Sequence, residues 1–522
     1  MSTQQPVQIT LADGALEVRG VFSGLTEDLR FWRKEIGFSQ KTRRRQVTGH
    51  YEDLYSTNED GSALYTMPGF AHRVIEFFKS RNVRYVFTDA RTPAPKPDYA
   101  KAFKGLRPYQ APLVGKMLMS GGGILQGATG MGKTRCAAAI FRAFDRDELF
   151  SRGTPTCVFA CPDKDINRKN WEEFTEIFPD RSVGIVMSGT RKWSDDIVCC
   201  TIDSLDNLDP SKVGLFICDE MHTASSDSRV EKISKFSKAL KWGVSATPDG
   251  RFDGKDMVAE GLFGPLVASF GYQEAVRLGA LVPITVFWLD CPPPEDLHAY
   301  ASMKTRDGKV RRGQIANEAF NRMVSDLMLS IKDDQQTLCM VQFIEHMSRI
   351  HRECRDIAFV HGETNQDNLL AFPDIRAIKP KERKEIYSMF RDREIMKIMA
   401  TDVYKQGVDF PSLNVVVNAR GGGSDIIAKQ IPGRASRSTD GKDCAYVVDF
   451  VHKWDTDTPE IGDGRGKPGP LLSNDRSRKR AYKELGFTQQ WIANISDLPF
   501  VDKAKAETTQ TMKLYRKAHL IA

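Results

Sequence analysis

The feature that most constrains the fold of this chain is a regular alternation of short apolar runs with stretches of helical period. Six runs lie in the first half of the chain: GGILQG, TCVFACP, VGIVM, DIVCCT, GLFICDE and WGVSAT. Six more lie in the second half: ITVFWLD, TLCMVQF, IAFVHG, IMKIMAT, NVVVNA and CAYVVDF. Strands that are apolar along their whole length are typical of parallel sheets covered by helices on both faces. The sequence therefore predicts an α/β protein with two tandem parallel-sheet lobes.

Proline- and glycine-rich segments divide the chain further. TPAPKPD at 92–98, CPPP at 291–294 and GDGRGKPGP at 462–470 interrupt helices and strands alike. Before the first break, ALEVRGVF, GSALYTM and VRYVFTD are typical of strands and residues 71–80 of a helix, which predicts a small α+β domain. The predicted division is an N-terminal accessory domain 1–91, a linker 92–103, a first lobe 104–282, a second lobe 283–461 and a short C-terminal tail 462–522.

Composition excludes several classes of protein. Lys plus Arg is 75 and Asp plus Glu is 68, a net charge of +7, which permits nucleic-acid binding and excludes a histone-like protein. No apolar run approaches the roughly 18 residues of a membrane span, and no secretory signal is visible, so we expect a cytoplasmic protein. None of the ten cysteines forms a C-x-x-C pair, which favours buried reduced thiols over zinc or iron–sulfur ligands.

A phosphate-binding loop follows the first apolar run. The segment GATGMGKT fits the pattern G-x-x-x-x-G-K-T between a strand and a helix. Its glycines let backbone N–H groups converge on phosphate oxygens, its lysine reaches the β- and γ-phosphates, and its threonine holds Mg²⁺. The sequence therefore predicts binding of ATP and Mg²⁺ by Gly127, Thr129, Gly130, Gly132, Lys133 and Thr134.

An acidic pair ends the later apolar run LFIC. We expect Asp219 to hold the Mg²⁺ ion together with Thr134, and Glu220 to accept a proton from the attacking water. An acidic pair after a strand is common, but it becomes specific when a phosphate-binding loop precedes it in the same lobe.

The ordered motifs over about residues 104–455 resemble those of superfamily 2 helicases and translocases. The matching segments are RPYQ at 107–110, the phosphate loop, DEMH at 219–222, SATP at 245–248, VHGE at 360–363, ATD at 400–402 with GVD at 407–409, and QIPGRASR at 430–437. The resemblance implies two RecA-like lobes. It also implies nucleotide contacts by Arg107, Gln110, Gly407 and Asp409, coupling of hydrolysis to lobe movement by Ser245 and Thr247, and catalytic contacts from the second lobe by Gln430, Arg434 and Arg437.

Within the superfamily, three segments are similar in sequence to the XPB-like branch and to phage recombination helicases of the UvsW kind: GYQEAVRLGALVPITV at 271–286, ARGGGSDIIAKQIPGRASR at 419–437 and, in the N-terminal domain, DGSALYTMPGFAHRVIEFFKSRNVRYVFTD at 60–89. This resemblance implies an ATP-dependent DNA helicase or translocase that tracks 3′ to 5′ on single-stranded, forked or branched DNA. The processes implied are replication, recombination or repair, in a bacterial cell or a phage-infected host. Three alternatives stay open: an RNA helicase, the motor subunit of a restriction or defence complex, and a nucleotide-dependent scaffold without turnover.

Nucleic-acid contacts are predicted at two levels. The resemblance implies contacts with phosphate and sugar by Pro162, Lys164, Thr201, Gln342 and Thr401. Three basic clusters are further candidates, although any one of them could be a solvated face: Arg30, Arg33, Lys34, Lys41, Arg43, Arg44 and Arg45; Lys304, Arg306, Lys309, Arg311 and Arg312, as a loop or hairpin; and Arg476, Arg478, Lys479, Arg480 and Lys483. Trp32 and Phe38 are expected in a core rather than on bases.

Overall fold

The structure is a computed structural model that describes residues 5–20, 23–39, 44–248, 253–404, 410–423, 432–433, 435–439, 441–457 and 466–507. It divides into two compact units, Met1–Gly271 and Tyr272–Ala522. Each unit contains one large parallel sheet flanked by helices, so the predicted α/β class with two tandem lobes is confirmed. All twelve predicted apolar runs form strands of these two sheets.

The N-terminal domain is built on a five-stranded sheet with the order β5-β6-β2-β1-β7. Alternate residues of β1 and β2 point inward, and they pack with the aromatic face of helix α2 around a core that contains Ile9, Val18 and Phe78. The elements are β1 Val7–Leu11, β2 Leu16–Arg19, α1 Leu25–Asp28, β3 Arg30–Ser39, β4 Arg44–Asp53, β5 Tyr55–Thr57, β6 Ala63–Thr66, α2 Ala71–Ser80 and β7 Tyr85–Asp89.

Strands β3 and β4 were not predicted, and they pair only with each other in a separate two-stranded sheet within the described residues. Their sequences mix charged, polar and aromatic residues, so neither carries the continuous apolar signal by which the buried strands are recognised. Trp32 lies on this ribbon and is 47% exposed, so the expectation that it belongs to a core is wrong. The side chain of Phe38 lies outside the described part of the chain.

The first lobe contains an eight-stranded sheet with the order β11-β10-β12-β9-β13-β14-β8-β15. All neighbouring strands are parallel except β10 and β11. Its strands are β8 Gly123–Gly127, β9 Thr156–Cys161, β10 Val183–Met187, β11 Thr190–Lys192, β12 Ile197–Thr201, β13 Val213–Asp219, β14 Leu240–Ser245 and β15 Leu266–Phe270. Its helices are α3 Tyr99–Phe103, α4 Gln110–Ser120, α5 Lys133–Ala143, α6 Arg146–Ser151, α7 Lys164–Ile177, α8 Asp227–Ser234 and α9 Asp256–Phe263.

The N-terminal domain packs closely on helix α9 of the first lobe. A Cβ atom at Gly69 would collide with the backbone carbonyl of Glu260, and one at Gly261 would lie 2.9 Å from Cε2 of Phe70. The guanidinium of Arg73 donates to both carboxylate oxygens of Glu260, at 3.1 and 2.7 Å. This backbone approach and ion pair fix the domain on the lobe.

The second lobe contains a seven-stranded, all-parallel sheet with the order β18-β19-β17-β20-β21-β16-β22. Its strands are β16 Ile284–Asp290, β17 Thr337–Met340, β18 Ala358–Val360, β19 Lys397–Ala400, β20 Val415–Asn418, β21 Ala445–Val451 and β22 Thr488–Trp491. Its helices are α10 Tyr272–Arg277, α11 Leu297–Ala301, α12 Arg306–Val310, α13 Glu318–Ser330, α14 Ile344–His351, α15 Pro380–Arg391 and α16 Pro470–Leu485.

The segment assigned to a tail continues the second lobe. Strand β22 pairs with β16 at the edge of the sheet, and α16 buries Leu471, Leu472 and Tyr482. Arg478 of α16 was a candidate DNA contact, but it is 3% exposed and lies 2.9 Å from Asp449 and 3.0 Å from Asp475. Its charge is satisfied inside the lobe, so Arg478 is not part of a basic surface.

Candidate functional site

The phosphate loop has the predicted strand–loop–helix geometry. β8 ends at Gly127 and α5 begins at Lys133, with Gly130 at φ 90° and Gly132 at φ 86° between them. Only glycine adopts this left-handed backbone readily. No side chain caps α5, so its first N–H groups are available to an anion beside Thr129 and Thr134. The ammonium of Lys133 donates to the carbonyl of Gly127 at 3.3 Å.

The start of helix α4 braces this loop. Gln110 is buried, its Oε1 accepts the N–H of Arg107 at 3.0 Å, and its Nε2 donates to the carbonyl of Met131 at 3.0 Å. The hydroxyl of Tyr109 donates to the same carbonyl at 3.1 Å, and its ring stacks on Phe270 with centroids 4.8 Å apart. Contact of Gln110 with adenine remains a prediction. Tyr109 was missed, although it stands beside Gln110 in the RPYQ segment.

The sheet brings the acidic pair to the phosphate loop. β14 lies between β13 and β8, with Asp219 opposite Val244 and Ser245 opposite Gln126. Because these strands are parallel, Asp219, Ser245 and the loop emerge at one carboxyl edge.

Desolvation and, secondly, the neighbouring carboxylate of Glu220 raise the pKa of Asp219 to about 7, although Lys133 opposes this effect. Adjacent carboxylates that lack full compensation fit a hard cation such as Mg²⁺, which prefers oxygen ligands. Asp219 and the hydroxyl of Thr134 are the groups that would hold it.

Glu220 is held in an unusual conformation by a small network. Its backbone is left-handed, with φ 47° and ψ 47°, which a residue other than glycine adopts only when its surroundings enforce it. Its Oε2 lies 3.4 Å from Ser245 Oγ and 3.3 Å from His222 Nδ1. Ser245 Oγ also lies 3.0 Å from His222 Nδ1 and accepts the N–H of Thr247 at 3.1 Å.

This network connects both predicted coupling residues to the predicted general base. His222 is a functional candidate that sequence reasoning missed: it is 5% exposed and contacts both Glu220 and Ser245. The sequence indication for His222 was its position at the end of the DEMH segment, where the prediction gave it no role.

The first-lobe residues predicted to contact nucleic acid meet at the same sheet edge. Thr201 at the end of β12 lies opposite Cys161 at the end of β9, and Pro162 and the exposed Lys164 follow directly. Thr201 is buried, and its hydroxyl lies 2.9 Å from Ser204 Oγ. Lys164, by contrast, is exposed and is the charged residue of the three.

The second-lobe residues of this set also come together. Met340 of β17 pairs with Ala400 of β19, so Gln342 and Thr401 leave adjacent strands at one edge. Both line a groove of about 1120 Å³ that also contains Arg306 and Arg311.

The predicted loop or hairpin around Gly308 is wrong. Residues Arg306–Val310 form an α-helix, and Arg311–Ile315 continue as a π-helix. The side chain of Thr305 caps the start by accepting the N–H of Gly308 at 3.1 Å, so the glycine lies inside a capped helical turn. The basic residues therefore lie on a helix that borders the groove.

The remaining predicted catalytic and nucleotide residues are only partly described. Gln430, Arg434, Gly407 and Asp409 lie outside the described residues. Arg437 is described, and its backbone forms an antiparallel bridge with Leu281, beside the start of β16.

The cysteines of the described part of the chain form no disulfide. Nine of the ten cysteines are buried, in agreement with the prediction, and all are free thiols. No group of three metal-ligating side chains occurs among the described residues. In the same residues, no helix has the length and apolar character needed to cross a membrane.

Comparisons with known proteins agree with the two-lobe architecture. Residues 103–250 match the family described as type III restriction enzyme, res subunit, and residues 319–439 match the helicase conserved C-terminal domain. The DNA 3′-5′ translocase XPB2 of Sulfurisphaera tokodaii is 24% identical over 67% of this chain and 82% of its own length. Putative helicase 22 of a Sulfolobus islandicus filamentous virus is 26% identical over 46% of this chain, which spans only 43% of that relative.

Among solved structures, S. cerevisiae Dbp5 L327V bound to RNA and ADP BeF3 is similar in fold, with a TM-score of 0.51 and 14% identity over 78% of this chain and 99% of that chain.

Proposed function

Because this chain belongs to superfamily 2 of the helicases and is an ATP-driven enzyme of that family, we propose that it is a DNA helicase or translocase, moving 3′ to 5′ on forked or branched DNA. The observation that carries the proposal is the continuous edge of the first sheet, where the phosphate loop, Asp219, Glu220 and Ser245 emerge together. Thr201 ends β12 at that same edge, and Lys164 follows the end of the neighbouring strand β9, at the start of α7. The proposal thus assigns nucleotide chemistry and nucleic-acid contacts to the same sheet.

In the proposed reaction, backbone N–H groups of the phosphate loop and Lys133 bind the phosphates of ATP. Mg²⁺, held by Thr134 and Asp219, would neutralise charge on the β- and γ-phosphates. Glu220 orients the attacking water and accepts its proton, and Ser245 and His222 fix the position of that carboxylate.

Three second-lobe residues complete the proposed catalytic site: Gln430, Arg434 and Arg437. Arginines that reach the γ-phosphate only when the lobes close would make hydrolysis depend on lobe movement. Gly407 and Asp409 are proposed to contact nucleotide in the same state.

The choice of DNA and of the 3′-to-5′ direction is supported by the relative from Sulfurisphaera tokodaii, which is named as a DNA 3′-5′ translocase. The test is ATP turnover and strand separation on 3′-tailed, 5′-tailed, forked, four-way and RNA substrates. Stimulation by the 3′-tailed and forked DNA, but not by RNA of the same sequence, is expected. Preferential stimulation by RNA would instead support an RNA helicase.

A second candidate, the motor subunit of a restriction complex, is favoured by the match of residues 103–250 to a restriction-enzyme subunit family. In this candidate role, the chain would move along duplex DNA without separating its strands. Displacement of a third strand from a duplex, without unwinding of any forked substrate, would support this candidate.

A further inference from the structure

The β3–β4 ribbon carries an exposed aromatic face. The two strands pair along their whole length, from Arg30 opposite Asp53 to Ser39 opposite Arg44. Alternate residues of a strand share a face. Six described side chains therefore share one face of the ribbon, which we call the aromatic ribbon face: Arg30, Trp32, Lys34, Val47, Tyr51 and Asp53.

Large apolar groups on this face are open to solvent. Trp32 is 47% exposed, Val47 62% and Tyr51 58%. The rings of Trp32 and Tyr51 lie opposite each other with centroids 5.0 Å apart, and the guanidinium of Arg30 lies 4.5 Å from the centre of the Tyr51 ring. A Cβ atom at Gly49 would collide with the indole of Trp32, so the glycine lets that ring lie close against the ribbon.

The other face of the ribbon root is fixed to the first lobe. Phe31 is 8% exposed, and Arg33 lies 3.8 Å from Asp227 of α8. The N–H of Lys34 donates to the carbonyl of Asp253 at 3.3 Å, and a Cβ atom at Gly254 would lie 2.8 Å from the carbonyl oxygen of Trp32. A ligand on the aromatic ribbon face is therefore held at a fixed position relative to the ATPase lobe.

Charge indicates which ligand fits this face. The described charged side chains of this face are the cations Arg30 and Lys34 and the carboxylate of Asp53, so cations outnumber acids beside the two rings. Exposed aromatic rings among cations are the composition of surfaces that stack on bases and attract phosphates.

We infer that the aromatic ribbon face binds unpaired bases of a DNA strand, with Trp32 and Tyr51 as the stacking groups. This inference rests on the proposed function, and it names the part of a forked substrate that the N-terminal domain recognises: its single-stranded arm rather than its duplex.

Equilibrium binding of the full chain to labelled DNA tests this assignment, using a fork with unpaired arms and a blunt duplex of equal length. The variants are Trp32→Ala, Tyr51→Ala and Trp32→Phe, with Trp193→Ala as the matched control because Trp193 is a 43% exposed tryptophan of the first lobe outside the ribbon. We expect Trp32→Ala to weaken fork binding roughly 5- to 100-fold, the range for loss of one stacked base. Trp32→Phe should keep most of the affinity, and Trp193→Ala should change it less than about two-fold.

Salt dependence separates stacking from phosphate attraction. Stacking releases no counterions, so Trp32→Ala should leave the slope of log affinity against log salt unchanged and duplex binding unaffected. The inference would be overturned if Trp32→Ala and Tyr51→Ala both bound the fork with wild-type affinity, or if their affinity for the duplex fell as much as their affinity for the fork. Neither outcome would affect the proposed function, provided that DNA still stimulates ATP turnover. Absence of DNA stimulation in the wild-type chain would instead overturn the proposed function. Thermal unfolding midpoints verify that each variant is folded.

Discussion

The hydroxyl oxygen of Ser245 lies 3.4 Å from Oε2 of Glu220, across the boundary between strand β14 and the acidic end of β13. Ser245 is fully buried, and its oxygen also accepts the N–H of Thr247. A shift of the segment after β14 would therefore move a hydroxyl that contacts the carboxylate of Glu220, the proposed acceptor of the proton from the attacking water.

Removal of this hydroxyl should slow ATP turnover and reduce its coupling to movement. A neutral hydrogen bond contributes about 1 kcal/mol, so we expect Ser245→Ala to lower kcat roughly five-fold, with a larger loss of strand separation per ATP. Turnover and unwinding are measured on the same forked DNA. The control is Ser151→Ala, which removes an exposed hydroxyl bonded only to a carbonyl of its own helix. Equal losses of turnover and unwinding in Ser245→Ala would contradict a coupling role.

Neutralising the proposed general base should separate binding from hydrolysis. Glu220→Gln should keep ATP binding and lose about 10²- to 10⁴-fold in turnover, whereas Lys133→Ala should abolish turnover through loss of its phosphate contact. Binding is measured by calorimetry and turnover by phosphate release. Glu231→Gln is the matched control, since that carboxylate is 77% exposed on α8. Near-normal turnover in Glu220→Gln would remove Glu220 from this role.

Loss of the second-lobe arginine should affect catalysis more than affinity. Arginine fingers contribute about 10³- to 10⁵-fold to kcat, so Arg437→Ala should lower kcat strongly and leave ATP affinity within a few-fold. DNA affinity without nucleotide should stay the same. Arg277→Ala, which alters a 72% exposed side chain, serves as the control. Loss of DNA binding with unchanged basal ATP turnover would show that Arg437 contacts DNA rather than the γ-phosphate.

The buried pair of His452 and Asp475 should make the second lobe less stable in alkali. Burial alone lowers the pKa of His452, but interactions with Cys291 and Asp475 outweigh this effect and raise the pKa to about 10. Between the ordinary value of 6.5 and about 10, the folded chain binds the additional proton. The stability from this group is thus complete below about pH 6.5, and it falls by up to about 1.4 kcal/mol per pH unit as pH rises.

Thermal unfolding from about pH 7 to about pH 9 checks this dependence. The unfolding midpoint of the wild type should fall more steeply with pH than that of His452→Gln, whatever the absolute stability of the variant. Parallel pH profiles would show that the imidazole is neutral in the folded chain.

Two arginines of helix α16 should differ sharply in their effect on stability. Arg478 is buried against Asp449 and Asp475, whereas the side chain of Arg480 is 66% exposed. Removing one partner of a buried ion pair costs about 3–5 kcal/mol, and surface substitutions usually cost less than about 0.5 kcal/mol. Chemical denaturation of Arg478→Ala and Arg480→Ala, which lose the same charge, measures the difference. Similar denaturation midpoints would show that the tail is not integrated into the lobe.

The sequence was sufficient to predict the strands and motifs whose signals are local. Central strands such as β13 are apolar along nearly their whole length, and the conformation of the phosphate loop requires glycines that the sequence shows directly. The edge strands β11, β15 and β22 were missed: TRK and TQQW have no apolar pattern, and the short run LVASF was not recognised as a strand. The burial of Arg478 and the exposure of Trp32 depend on partners distant in the chain, and no local pattern indicates them.

The most direct test of the central claim is ATP-dependent strand separation on a forked DNA with a 3′ tail, compared with the same fork carrying a 5′ tail. The account predicts that the wild type separates the 3′-tailed fork only with ATP and Mg²⁺, that the 5′-tailed fork is separated more slowly, and that Glu220→Gln separates neither. Strand separation by Glu220→Gln at the wild-type rate, or ATP turnover that no DNA stimulates, would contradict it.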